Sequence, residues 1–231
     1  MENRQFYFAD KQFYHIYNHT VGDEEIFDDS YILNRSLGLI DFYRFKTPFS
    51  FSELKKMDVR SRIDFLKKLR LSKPLVKLYA FSIMPNHFHF LLSQDQKESV
   101  SKFISNFQNG IAKYYNLKNN RRGALFCRPF KRVIVDREDK FIHVSRYIHL
   151  NPVTSYMIKI IDLDSYQYTS FSTYMKKNDC QFIDTTLIFN HFKTIEKHKK
   201  FVYDQEDYQK KLAVIKKQVL EKYEGFEAKL T

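Results

Sequence analysis

The chain is poor in cysteine and has no long apolar run. Its two cysteines, Cys127 and Cys180, lie far apart and neither belongs to a C-x-x-C pair, which excludes a disulfide framework and a zinc knuckle. No stretch reaches the length of a membrane span, and the opening residues MENRQFYFAD lack the basic and apolar regions of a signal peptide. We therefore expect a cytoplasmic protein with reduced cysteines and no membrane partner.

Internal repeats, low-complexity segments and Pro/Gly-rich linkers that would clearly separate domains are also missing. Of the 231 residues, 43% are hydrophobic and 17% aromatic, which is enough to fill a core. The 39 Lys and Arg outnumber the 27 Asp and Glu, so that the formal charge is +12. This excess favours a polyanionic partner, with nucleic acid as the leading candidate, although a general enrichment in lysine is the simpler interpretation.

The order of the predicted elements indicates the fold class. In chain order we predict a strand in 11–21, a helix in 28–45, strands in 74–84 and 87–94, a helix in 97–116, a strand in 130–135, and a helix in 136–151 that stops near Pro152. Pro85 and Asn86 form the turn between the two middle strands. The β-α-β-β-α-β order is typical of an α+β, ferredoxin-like fold, in which helices cover one face of an antiparallel sheet. Additional helices follow toward the C-terminus.

We predict two units along the chain, a domain in 1–175 with an insertion in 46–73, and a helical appendage in 176–231. Within the appendage, the segment 204–224 carries an apolar face at helical spacing, and its lysines lie elsewhere. The apolar positions are Tyr208, Leu212, Ile215 and Val219. This helix could contact DNA, form a dimer, or pack on its own domain, which is the simplest interpretation.

Two histidines interrupt the strand FSIMPNHFHFLL, residues 81–92, which otherwise looks buried. Burying an imidazole is costly unless its nitrogens find partners. Because side chains alternate along a strand, His87 and His89 point to one face while Phe88 and Phe90 point to the other. This geometry suits two ligands of one metal ion, whereas a hydrogen-bonded pair of core histidines is the simpler alternative.

The last predicted helix of the pattern carries a phenol beside polar side chains. Tyr147 and Asn151 are four residues apart and share a helix face, and His143 lies one turn earlier. A phenol becomes a nucleophile when a base removes its proton or a metal polarises its target. Tyr147 is nevertheless one of 16 tyrosines, and Asn151 could do no more than satisfy the end of a helix.

These motifs together resemble a known family. The segment MPNHFHFLL is similar to the histidine signature, and RYIHLNPV to the tyrosine helix, of the single-tyrosine HUH transposases of the insertion sequence 200 type, especially their REP-associated branch. FYHIYNHTV resembles the first strand, GALFCRPFKRVIVD the basic segment and YTSFSTYM the stretch after the tyrosine helix, so that the resemblance spans about residues 11–175. The first strand departs from the family, which often has Asn-Arg-Gly where this chain has Asn18, His19 and Thr20.

The resemblance implies a reaction. Tyr147 would attack a phosphodiester of single-stranded DNA near a hairpin and leave a 5′-phosphotyrosine and a free 3′-OH. His87 and His89, with Asn151 as third ligand, would hold Mg²⁺ or Mn²⁺. His143 is at most a candidate to orient these ligands, and capping or packing of the helix is its simpler interpretation. No small-molecule cofactor is expected, and the protein would be a nucleoid-associated monomer or homodimer.

Basic residues near these motifs are the predicted DNA contacts. They are Arg121, Arg122, Arg128, Lys131, Arg132 and Arg146, with aromatic residues between them. Three functions remain open at this point. The preferred one is a DNA strand transferase, the second is a hairpin-binding protein that does not cut DNA or RNA, and the third is a metal-dependent nuclease that uses water instead of Tyr147.

Overall fold

The computed structural model describes residues 12–178 and 180–205, and its centre is a four-stranded antiparallel sheet. The strands are Phe13–His19 (β1), Val76–Met84 (β2), His87–Gln94 (β3) and Lys131–Val135 (β4). Their order across the sheet is β2-β3-β1-β4, and every neighbouring pair is antiparallel. This is the strand order that a β-α-β-β-α-β connection produces. The predicted α+β fold class is therefore confirmed.

Eight α-helices lie in the described part of the chain. They are Ser30–Tyr43 (α1), Phe51–Lys56 (α2), Val59–Arg70 (α3), Ser99–Lys118 (α4), Glu138–Thr154 (α5), Phe171–Tyr174 (α6), Thr186–Phe192 (α7) and Ile195–Tyr203 (α8). Asp29 begins α1 by accepting a hydrogen bond from the Tyr31 backbone N–H, as an aspartate at an N-cap does. None of these helices is both long and apolar enough to cross a membrane.

The two faces of the sheet have different chemistry, because side chains alternate along each strand. One, here called the phenylalanine face, carries Phe88 and Phe90, which pack against Phe107 of α4 at ring-centroid distances of 5.1 and 5.3 Å. Helix α1 lies beside α4 so closely that a Cβ on Gly110 would stand 2.7 Å from Leu39. The two helices of the β-α-β-β-α-β pattern thus share one face, as predicted.

Helix α5 covers the opposite face, here called the histidine face, which carries His87 and His89. Phe141 near the start of α5 packs edge-on against Phe13 of β1 and Tyr79 of β2, at 5.0 and 5.3 Å. Farther along the same helix, Tyr147 reaches the ring of His89. The sheet is therefore a layer between apolar helices on one side and the predicted tyrosine helix on the other.

The sequence analysis predicted that this helix stops near Pro152. Helix α5 instead runs through Pro152 to Thr154. A proline has no N–H to donate to the carbonyl four residues earlier, which here belongs to Ile148. The side-chain amide of Asn151 donates to this region instead, at 3.0 Å to the Tyr147 carbonyl and 3.5 Å to the Ile148 carbonyl. The longer of these bonds gives the Ile148 carbonyl a donor in place of the missing proline N–H.

The C-terminal helices pack against α5 through a buried polar cluster. Ser170 Oγ lies 2.9 Å from His149 Nε2 and accepts a 2.9 Å hydrogen bond from the Phe81 backbone, so that it joins α5 to the edge of β2. His198 of α8 is buried beside the His149 ring, with a centroid distance of 5.9 Å. Ile188 and Val202 belong to the same hydrophobic core as the sheet.

The predicted boundary between residues 175 and 176 is not tested by this packing and stays a prediction. The insertion in 46–73 contains α2 and α3, which make up most of its length. The predicted amphipathic helix in 204–224 lies outside the described residues from position 206 onward.

The buried His198 makes stability depend on pH. Burial lowers its pKa from 6.5 to about 4, so the folded protein favours neutral imidazole while the unfolded chain takes up a proton near pH 6.5. Stability contributed by this group is complete above pH 6.5 and is lost as the pH falls toward 4. We predict that the free energy of unfolding of His198→Phe falls by about 2 kcal/mol less than that of the parent when the pH is lowered from 7.5 to 5. Urea unfolding of both proteins at the two pH values measures this difference. Equal losses in the two proteins would contradict the burial of a neutral imidazole here.

Candidate active site

Pairing of β1 with β3 assembles four histidines on the histidine face. The register places His19 opposite His87 and Tyr17 opposite His89. His19 stacks on His87 with a centroid distance of 4.6 Å, and His15 Nε2 lies 2.9 Å from His89 Nδ1. His15 and His19 were missed as site residues in the sequence analysis. Their alternation in HIYNH, residues 15–19, is the same signal that singled out His87 and His89.

The two predicted metal ligands share this face, as the strand geometry requires. Their rings are 5.1 Å apart and nearly perpendicular, at 85°. Burial, with a smaller contribution from the neighbouring His19, lowers the pKa of His87 to about 4. Burial also lowers the pKa of His15 to about 4. Near neutral pH these imidazoles are uncharged, and only a neutral imidazole keeps the lone pair that a metal ion binds.

Tyr147 lies against the same histidines. Its ring stands edge-on to His89 at 5.7 Å and to His15 at 5.9 Å. Burial raises the pKa of the phenol above its ordinary value of 10, with a smaller contribution from Tyr17. The structure thus brings together a tyrosine from α5 and a histidine from β3 that are distant in sequence, with the phenol protonated at neutral pH.

Asn151 and His143 differ in how they relate to this centre. The amide nitrogen of Asn151 is used by the helix carbonyls described above, so only its oxygen is available as a ligand atom. His143 has its Nδ1 2.7 Å from Arg146 Nη2, and its ring is 5.7 Å from Phe201 of α8. These contacts are with its own helix and with α8, and its predicted role beside the metal ligands stays a prediction.

The side chains at this centre offer ligand atoms of types that a divalent metal ion accepts, but they are few. Two imidazoles on one face, with an amide oxygen on the facing helix, are ligand types that Mn²⁺ and other divalent ions accept. Among the described residues, however, no three His, Cys, Asp or Glu side chains form a group that could hold a metal ion. Any site here therefore depends on Asn151, water or substrate oxygen to complete it.

The predicted DNA-binding residues fall into three groups. Arg122, Arg128 and Lys131 are exposed, and the Lys131 ammonium lies 5.9 Å from the centre of the Tyr17 ring on the histidine face. Arg132, the next residue of β4, pairs with Ile16 and projects from the opposite face of the sheet. The Arg146 guanidinium lies over the Phe201 ring of α8 at 4.0 Å and donates to the Phe201 carbonyl, so this side chain packs α5 against α8.

Arg121 is half-buried and makes its polar contacts within the protein. Its Nε lies 3.2 Å from a Glu24 carboxylate oxygen, and its Nη1 donates to the Ala124 carbonyl at 3.0 Å. Glu24 also accepts a 2.6 Å hydrogen bond from the Tyr115 hydroxyl. Arg121 thus ties the loop after α4 to the segment after β1, which identifies a structural role that charge alone did not predict.

Residues 53–151 match the family model described as transposase, IS200-like. This segment includes His87, His89, Tyr147 and Asn151. The resemblance predicted from the two sequence motifs is confirmed, and the match supports a DNA-processing role in general.

Among solved structures, the chain is similar to a REP-associated tyrosine transposase that was solved in complex with a REP hairpin. The identity is 14%, the similarity covers 80% of this chain and 93% of that one, and the TM-score is 0.50. At this identity the likeness supports a common fold. No curated protein sequence matches the chain significantly.

The contrast between Arg121 and its neighbour is testable without any ligand. The Cys127 backbone N–H, which donates to the His19 carbonyl, reports on this loop. We predict that Arg121→Ala speeds hydrogen exchange at this N–H by about fivefold, because the loss of the ion pair with Glu24 costs about 1 kcal/mol. The exposed Arg122, changed to Ala, is the matched control and leaves this exchange rate unaltered. Equal effects of the two changes would contradict the anchoring of Arg121.

Proposed function

From the match to IS200-like transposases and the geometry on the histidine face, we propose that this protein is a metal-dependent single-stranded DNA endonuclease and strand transferase. It would cut near hairpin DNA through a 5′-phosphotyrosine intermediate. The observation that carries the proposal is the contact of the Tyr147 ring, on α5, with the ring of His89, on β3, at 5.7 Å. This contact joins a potential nucleophile to a potential metal ligand at one point on the surface of the sheet.

Tyr147 has the role of nucleophile in this proposal. Its phenolic oxygen forms a bond to the scissile phosphorus while the bond to the 3′ oxygen breaks, and the strand end leaves as a 3′-OH once it has gained a proton. Because burial raises the pKa of the phenol, the phenol enters the reaction protonated and must lose its proton as the new bond forms. The phosphotyrosine ester keeps the energy of the broken bond, so the strand can be rejoined without ATP.

His87, His89 and the Asn151 oxygen are the proposed holders of Mg²⁺ or Mn²⁺. When bound, such an ion supplies a Lewis acid for the phosphate and stabilises negative charge on the leaving oxygen. The neutral state of His87 supports this role, because no proton competes for its lone pair near pH 7.

The proposed partner is single-stranded DNA that carries a hairpin. The net charge of +12 and the exposed cations Arg122, Arg128 and Lys131 support binding of a polyanion. Tyr17 adds an aromatic ring beside Lys131, an arrangement that suits an unpaired base next to a phosphate. A REP hairpin is the ligand of the structurally similar transposase, and we extend a hairpin partner to this chain as part of the proposal.

A second candidate is a hairpin-binding protein of the same ancestry that does not cut nucleic acid. The hydrogen bonds from the Asn151 amide to its own helix favour it, since they give Asn151 a structural reason to be present. Formation of a covalent protein–DNA bond separates the two candidates.

We predict that the protein, incubated with Mn²⁺ and a labelled hairpin with single-stranded flanks, yields an adduct that resists SDS. Tyr147→Phe should abolish the adduct because it removes the attacking oxygen, and excess EDTA should do the same. Tyr17→Phe is the matched control, since Tyr17 lies on the same face and stacks on His89 at 5.6 Å. If the adduct persists in Tyr147→Phe and disappears in Tyr17→Phe, the nucleophile is Tyr17, and its assignment to Tyr147 is wrong.

DNA binding should depend on the exposed cations Arg122 and Lys131, of which Lys131 lies beside Tyr17 on the histidine face. We predict that changing Arg122 and Lys131 together to Ser lowers the magnitude of the logarithmic salt slope for single-stranded DNA by about 1.4, since each phosphate contact contributes about 0.7. Fluorescence anisotropy over a salt titration measures this slope.

The matched control changes Lys176 and Lys177 to Ser, which removes the same charge from exposed positions near the other edge of the sheet. Its salt slope should equal that of the parent. If the two double variants have the same slope, the DNA lies on a different surface from the one proposed.

A further inference from the structure

We infer that Asn86 and His15 are positioning residues that hold His87 and His89 in the tautomer protonated at Nδ1, so that both rings present Nε2 to a metal ion. This inference rests on the proposed function, in which these two histidines are ligands. It adds two residues that bind neither metal nor DNA but determine which ring nitrogen is available.

The orientation of Asn86 follows from its other partner. Its side-chain nitrogen lies 3.2 Å from a carboxylate oxygen of Asp23, and a carboxylate at neutral pH can only accept a hydrogen bond. The amide oxygen of Asn86 therefore points the other way, where it lies 2.6 Å from His87 Nδ1. An amide oxygen is also only an acceptor, so His87 Nδ1 must carry the proton, and its Nε2 carries the lone pair.

The Asn86 backbone explains why this amide is well placed. Its carbonyl accepts hydrogen bonds from the Thr20 N–H at 2.8 Å and from the Thr20 hydroxyl at 3.1 Å. These bonds join the turn between β2 and β3 to the end of β1. The side chain that orients His87 is therefore fixed at both its backbone and its amide.

His15 has the corresponding position for the second ligand. It lies on β1 next to His89, and its Nε2 is 2.9 Å from His89 Nδ1. A hydrogen bond between two neutral imidazoles can run in either direction, but only donation from His89 to His15 leaves the lone pair on His89 Nε2. The reverse direction would put a proton on His89 Nε2 and remove this histidine as a ligand through either nitrogen.

The two hydrogen bonds have the same consequence for both rings. His15 is 8% exposed and His89 is 4% exposed, so water competes little for the bond between them. With each Nδ1 engaged by Asn86 or His15, His87 and His89 are held as a pair of Nε2 donors on one face. A partner that orients a ligating histidine commonly contributes about 10- to 100-fold in metal affinity.

Nitrogen-15 NMR of the metal-free protein tests the tautomers directly. We expect both His87 and His89 to carry the proton on Nδ1, and we expect His89 to revert to the Nε2-protonated form that free histidine prefers when His15 is changed to Phe. Nε2-protonated His89 in the parent protein would overturn the inference.

Calorimetric titration with MnCl₂ in the absence of DNA tests the effect on affinity. His15→Phe and Asn86→Ala should each weaken Mn²⁺ binding by about 10- to 100-fold, while His15→Gln, whose amide oxygen can accept from His89, should restore most of it. Lys176→Ser changes an exposed residue outside the histidine face and is the control with unchanged affinity. Asn86 is half-buried in a turn, so Asn86→Ala keeps the test open if His15→Phe does not fold.

The outcomes separate this inference from the proposed function. If the parent and His15→Phe bind Mn²⁺ equally well and His87→Ala does not bind it, the ligands are right and the positioning role is wrong. If the parent itself binds no Mn²⁺, the proposed metal site is wrong, and the inference is overturned with it.

Discussion

The antiparallel pairing of β1 with β3 is the interaction on which the rest of the site depends. Because the register sets His19 beside His87 and Tyr17 beside His89, the polar rings of both strands project from one face. A shift of one residue in this register would turn either set of rings toward α1 and α4, where the core is apolar. The phenylalanine face fixes the register, since Phe88 and Phe90 are fully buried against Phe103 and Phe107.

The histidine face gains its chemistry from the helix that covers it. Helix α5 packs on the sheet through Phe141 and brings Tyr147 over His89 about 1.7 turns later. The cluster of His149, Ser170 and His198 attaches the same helix to β2 and to α8. The position of the phenol is therefore set by apolar packing at one end of α5 and by a buried polar cluster at the other.

Local patterns in the sequence predicted the strands, the helices and the common face of His87 and His89, because periodicity of 2 and 3.6 residues is written in neighbouring positions. They did not predict the ion pair of Arg121 with Glu24, or the contact of His143 and Arg146 with Phe201. These partners are distant in the chain, and charge alone does not distinguish an arginine that binds phosphate from one that packs. His15 and His19 share a strand pattern with the predicted ligands, but their role depends on pairing between strands, which no single segment encodes.

In the proposed site, one metal ion lies between His87 and His89 of β3 and Tyr147 of α5. Crystals grown with Mn²⁺, measured at the manganese absorption edge, test it most directly. We expect an anomalous peak at bonding distance from Nε2 of both His87 and His89, with the Tyr147 phenol beside it. A structure with no peak at these nitrogens, or with Mn²⁺ held only by carboxylates elsewhere, would contradict it.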